Sequence, residues 1–177
     1  MNTNRITHKA KNSIHRQLSI DSAKDQIHAF TLIELLVSII IVGILSTTAL
    51  PNYLNQVNRS RQNEAATTIN QIQTTIAAYA DEFGILPENW TELNEVSAVM
   101  TDEGPAKADN FGGITLAGGF YIVDISQDQN NLNLFTITAT REETPNLNII
   151  ACINLTNGAS GINKGTTNEA ALAPICS

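Results

Sequence analysis

The pattern of apolar and polar positions divides the chain into four stretches. Residues 1–28 are polar, with no apolar run of secretory-signal length. Residues 30–50 then read FTLIELLVSIIIVGILSTTAL, 21 positions with a single charge, Glu34. As a helix this run spans about 31 Å, the thickness of a bilayer core. Beyond Pro51, apolar or small residues recur at Ala65, Ile69, Ile72, Ile76, Tyr79 and Phe83, in steps of four and three, which is one face of an amphipathic helix. Gly84 and Pro87 supply the stop. The spacing predicts one helix from about Thr31 to Phe83, roughly 80 Å long, with Pro51 kinking or locally unwinding it.

The remainder changes period. Asn89 and Glu92 form a capping pair for a short helical segment in which Trp90, Leu93, Val96 and either Val99 or Met100 face a core. Three runs, Phe120–Ile125, Leu132–Thr140 and Leu147–Leu155, are separated by turn residues and read as an antiparallel meander. The tail, Thr156–Ser177, is rich in Gly, Asn, Thr and Ala and reads as irregular. The expected fold class is therefore α+β, a long N-terminal helix packed on three or four antiparallel strands over about residues 113–155. The expected division is a basic leader (1–29), an apolar helix (30–53) and a head (54–177).

Charge sharpens that division. Residues 1–29 carry five basic side chains against two acidic ones; residues 30–177 carry five against fifteen. A basic segment before an apolar helix leaves the N-terminus cytoplasmic and the head outside. The acidic head argues against direct nucleic-acid binding, which needs clustered Lys and Arg. All three histidines (His8, His15, His28) lie in the leader. Without it, no Ser-His-Asp or Cys-His pair and no histidine metal site can form, so we expect no catalytic residues, no metal and no cofactor. Asp124 and Asp128 flank a polar turn and read as solvated turn acids rather than a calcium site. Cys152 and Cys176 would pair in a chain sent outside the cytoplasm, closing a loop worth roughly 3 kcal/mol. The alternative is two buried thiols.

Glu34 is the sharpest residue. A carboxylate in hydrocarbon costs ~3 kcal/mol even on lenient insertion scales, and it needs a partner. No Lys or Arg lies within two helical turns. A cut between Ala29 and Phe30 would supply one, a new α-amino group one turn away.

The run Ala29-Phe-Thr-Leu-Ile-Glu34 and the apolar residues that follow, through Pro51 and Tyr53, resemble the type IV pilin superfamily, which includes type II secretion pseudopilins. Position 29 is Ala where the family usually has Gly, and the leader is long. The resemblance implies a non-enzymatic filament subunit. A prepilin peptidase would cut after Ala29 and methylate Phe30. Glu34 would pair with the N-terminal amine of a neighbouring copy. The implied partners are further copies of the chain, other pilins, the inner membrane and the pilus or type II assembly machinery. The implied place is the inner membrane first, then a surface pilus or, alternatively, a periplasmic pseudopilus. Outside this family, the same sequence features would fit a periplasmic domain on an uncleaved anchor.

Overall fold

A computed structural model of the protein describes residues 30–176; Ala29 and the rest of the leader lie outside the described residues, as does Ser177. The chain divides into two units, Met1–Gly43 and Ile44–Ser177. The described part of the first unit is Phe30, Thr31 and the opening turns of α1 (Leu32–Phe83). The second unit holds the rest of α1, α2 (Trp90–Val96) and seven strands.

The amphipathic stretch of α1 behaves as its spacing predicts. Ala65, Ile69, Ile72, Ile76 and Tyr79 are buried, and Gln62, Ala66, Gln73 and Thr75 flank them in the same face. Phe83 is the exception, exposed apart from its stacking on Tyr79 at 4.6 Å between centroids. The helix closes at Gly84, whose φ of +69° is the left-handed conformation favoured after a C-terminus, with its N–H donating to Ala80 O (3.0 Å). Pro51 does not interrupt α1, contrary to the expectation of local unwinding. Side chains supply extra bonding there: Asn52 Nδ2 donates to Thr48 O (3.1 Å), and the Thr47 and Thr48 hydroxyls donate to Ile44 O and Leu45 O.

The expected capping pair opens α2. Asn89 Oδ1 accepts from Glu92 N (2.9 Å), and Glu92 returns the bond through Glu88 N (2.7 Å) and Asn89 Nδ2 (2.8 Å). Trp90, Leu93 and Val99 are fully buried, which settles the choice against Met100. Trp90 Nε1 donates to Gly112 O (2.8 Å), so the indole's one polar atom is satisfied inside the core.

The main sheet has five strands rather than three or four. β3 (Ile114–Thr115), β4 (Ile122–Gln127), β5 (Leu134–Thr140), β6 (Ile149–Asn154) and β7 (Ser160–Lys164) pair antiparallel in that order. A two-stranded ribbon of β1 (Met100–Thr101) and β2 (Gly104–Pro105) forms a second small sheet, tied to the end of β3 by a bridge between Thr101 and Leu116 and by Asp102 N donating to Thr115 O (3.3 Å). The α+β class stands, but β7 corrects the reading of the tail as wholly irregular. Its sequence, Ser-Gly-Ile-Asn-Lys, has one large apolar residue and no alternation to detect. It becomes a strand because the edge of β6 offers an unpaired row of backbone groups.

Register puts the apolar residues on one side. Val123 faces Ala139, Ile125 faces Ile137, and Ile137 and Ala139 face Ala151 and Ile149 across β6. All are buried, and they form one cluster with the α1 stripe and Trp90. Each such fully buried aliphatic side chain contributes about 1.5–3 kcal/mol. Two polar side chains also cross from helix to sheet. Gln62 Nε2 donates to Gly165 O (2.9 Å) and Leu147 O (3.3 Å); Gln73 Nε2 donates to Cys152 O (2.7 Å) and Gly161 O (3.1 Å). Gly165 is needed for a different close approach, to the segment before β6: a Cβ there would lie 1.9 Å from Asn146 O.

Candidate assembly site

The sequence points to the start of α1. Thr31 precedes the first helical residue and Glu34 is the third, the spacing of a capping box. The structure forms that box. Glu34 N donates to Thr31 Oγ1 (3.3 Å), while Glu34 Oε2 accepts from Thr31 N (2.8 Å) and Thr31 Oγ1 (2.9 Å). Two backbone N–H groups at the helix N-terminus, which no helical carbonyl can satisfy, are bonded this way. The negative charge also lies at the positive end of the helix dipole. The carboxylate therefore has a local partner in Thr31. That role is one sequence reasoning missed, although the Thr-x-x-Glu spacing carries the signal. Glu34 Oε1 makes no hydrogen bond among the described residues, so one oxygen of the pair stays open. Phe30, the residue expected to carry the new amine, is 82% exposed beside it. Its proposed cleavage partner, Ala29, lies outside the described residues.

Every residue from Phe30 to Gln56 is exposed. They include Leu32, Ile33, Leu35, Ile39, Ile40 and Val42 in the first unit, and Ile44, Leu45, Leu50 and Leu54 in the second. The helix is long and apolar enough to cross a membrane. An apolar surface of this extent is stable only in lipid or against another apolar surface.

The second expected feature is at the C-terminus. Cys152 on β6 and Cys176 form a disulfide, Cα to Cα 6.1 Å. The tail it holds lies across the sheet. Asn154 Nδ2 donates to Cys176 O (2.9 Å), Asn163 Nδ2 to Leu172 O (2.9 Å), and Pro174 occupies the space a side chain at Gly161 would fill. Asp128 is a turn acid: Oδ1 accepts from Asn130 N and Asn131 N, both at 2.8 Å. Among the described residues no three His, Cys, Asp or Glu side chains form a metal-sized group.

Comparisons with known proteins agree with this geometry. Residues 25–50 match the prokaryotic N-terminal methylation motif. The chain is 36% identical over 84 residues to the type IV major pilin PilA of Myxococcus xanthus, covering 41% of this chain and 38% of that protein. It is 31% identical over 102 residues to the type IV major pilin PilE1 of Neisseria gonorrhoeae, covering 58% and 45%. It is 34% identical over 92 residues to the type IV major fimbrial protein FimA of Dichelobacter nodosus, covering 49% and 59%. The match thus spans between 38% and 59% of the length of these relatives. No solved structure matches the chain. An apolar exposed helix start and a disulfide-closed α+β unit define a pilin-like class of protein. The motif and the relatives together support the type IV pilin superfamily for this chain.

Proposed function

We propose that the protein is a structural subunit of a type IV pilus, held in the inner membrane by residues 30–53 and drawn from it into a filament. The leader is removed between Ala29 and Phe30 by a prepilin peptidase, which also methylates Phe30. The observation that carries the reading is the exposed apolar helix start with one acid, Glu34, in its first turn. In lipid, an apolar helix gains nothing hydrophobic by leaving unless a second apolar surface receives it. A bundle of the same helices is such a surface. The cost of a carboxylate inside the bundle is offset if Oε1 accepts from the α-amino group on Phe30 of the next copy while Oε2 stays with Thr31. A copy inserted out of register leaves that oxygen unpaired, so the pair selects one register. The surface pilus is favoured over a pseudopilus by the relatives, whose names are those of major pilins and fimbrial proteins.

The test has two parts. The mature protein purified from cells is expected to begin at a methylated Phe30 by intact mass and N-terminal sequencing. Glu34→Ala is expected to keep normal membrane levels but to lose tenfold or more in filament incorporation, corresponding to at least ~1.4 kcal/mol of assembly energy. A protein that keeps residues 1–29, or a Glu34→Ala variant that polymerises normally, overturns the reading.

A further inference from the structure

Basic side chains remote in sequence come together on part of the second unit. Arg59 and Arg61 stand on α1. Arg141 follows β5 and donates from Nη1 to Asn58 Oδ1 (2.9 Å). Lys164 ends β7 and donates from Nζ to Asn63 Oδ1 (2.9 Å). The Arg61 and Arg141 guanidinium groups share the Phe120 ring, 3.6 and 5.7 Å from its centroid. Four cations from separate parts of the chain thus form a collar around residues 58–63; Lys107 is the only other Lys or Arg after the leader.

The partners of this collar are mostly neutral: two asparagine amides and one aromatic ring. Among the described residues the one ion pair is Arg141 to Glu143 (3.3 Å), and that carboxylate is 79% exposed. Arg141 itself is 5% exposed, and its Nε has no partner. Glu64 lines one hollow with Arg61, and Glu142 and Glu143 line another with Arg141, so these two arginines already have carboxylates nearby. Arg59 and Lys164 are exposed, and no carboxylate lines the cleft they share, so these two are the cations open to an outside anion. That open polar cleft of about 460 Å³, lined by Arg59, Asn63 and Lys164 among others, gives access.

Acids collect at the far end of the same unit. Asp81 and Glu82 occupy the last turn of α1, which has no basic residue. Negative charge there opposes the helix dipole. Glu88, Glu92 and Glu95 follow. Burial first, then the field of Glu92, Glu95 and Glu88, holds the Tyr79 phenol above its ordinary range. Glu92 is engaged in the α2 cap, but the carboxylates of Asp81, Glu82, Glu88 and Glu95 are exposed and bond to nothing among the described residues. Residues 61 and 82 are about 30 Å apart along the helix.

We propose that these two poles meet between copies: the collar around residues 58–63 of one subunit receives Asp81, Glu82, Glu88 and Glu95 of a second subunit displaced by about 30 Å along the α1 axis. The proposal rests on the filament reading above and adds a contact independent of Glu34. It joins two different patches, so it repeats without closing, as a filament requires. Complementary charge of this kind fixes register and excludes wrong neighbours more than it adds affinity.

Zero-length carbodiimide crosslinking of assembled filaments tests it without any variant. Lys164 is expected to be joined to Asp81 or Glu82, about 27 Å along α1 from its contact at Asn63 and so out of zero-length reach within one copy, and the link is expected to vanish in detergent-dispersed subunits. Lys164 joined only to another protein, or to none of these acids, overturns the proposal. Charge reversal gives the second test. Arg59→Glu with Lys164→Glu, and separately Asp81→Lys with Glu95→Lys, are each expected to lower filament yield by about tenfold or more, since each places like charges opposite one another. All four changes together are expected to restore yield. Thermal unfolding and disulfide formation identify any variant that has not folded, leaving the crosslink to decide. If both double variants assemble normally, or the quadruple variant stays defective while folded, the collar contact is wrong and Glu34-dependent assembly still stands. If the unaltered protein forms no filaments, both readings fall together.

Discussion

Two stretches of α1 differ in a way that hydrophobicity alone does not foretell. Phe30–Gln56 is the more apolar, yet every one of its residues is exposed. Gln62–Tyr79 is richer in polar residues, yet nine of its side chains are buried. The second stretch has one apolar stripe and finds one apolar sheet face in the same chain to cover it. The first is apolar on nearly every side, and none of its residues is covered by the other described residues. Helix formation needs only the local sequence, whereas burial needs a partner. A stretch left exposed in this way is stable only in lipid or against another apolar surface, which is what the proposed filament would supply.

The strongest test of this difference exchanges the same side chain in both places. Ile72→Ala in the full chain in detergent is expected to cost about 2–5 kcal/mol and to lower Tm by roughly 5–15 °C. Ile40→Ala, at an exposed site, is expected to leave Tm within about 1 °C. Equal losses at both positions would mean that the first stretch also packs within the chain.

Cys152→Ser tests whether the second unit depends on its staple as well as on its core. Opening the disulfide is expected to cost about 3 kcal/mol and to free residues 166–176 for rapid hydrogen exchange, with β4 and β5 still protected. Gln73→Met keeps the size of the side chain and removes its amide, leaving Cys152 O and Gly161 O without that donor. A loss of about 1–3 kcal/mol in thermal or denaturant unfolding is expected, and no loss would show that the helix–sheet contact is purely apolar.

The smallest effect concerns pH. Burial pushes the Asp124 carboxyl above the ordinary aspartate range, against a smaller opposing contribution from its own backbone. The folded state therefore holds this proton more tightly than the unfolded chain does. Its contribution to stability is full below the ordinary aspartate pKa and is lost as pH rises through the raised value. Asp124→Asn is expected to remove that slope and to stabilise the protein at neutral pH by ~0.5 kcal/mol or less, because water screens a half-exposed group. Unfolding midpoints compared at neutral and acid pH check the sign: the two proteins should converge in acid.

Much of this was written locally. The period of the α1 stripe, the Asn89–Glu92 cap and the Gly84 stop each appear within a few neighbouring residues and form where the spacing places them, while each of the three expected strands begins two residues later than its run, at Ile122, Leu134 and Ile149. The isolated acid in an apolar run marked Glu34, and the Thr-x-x-Glu spacing beside it held the capping box without being noticed.

What only the folded chain decides is pairing across distance. Ser160–Lys164 has little strand character of its own and pairs because β6 lies open beside it. Arg141 and Lys164 reach α1 across 83 and 101 residues of sequence, and Gln73 reaches Cys152 across 79. No local period encodes such meetings. Helix and turn preferences act through bonds between near neighbours, while these contacts exist only after the core has brought remote segments together.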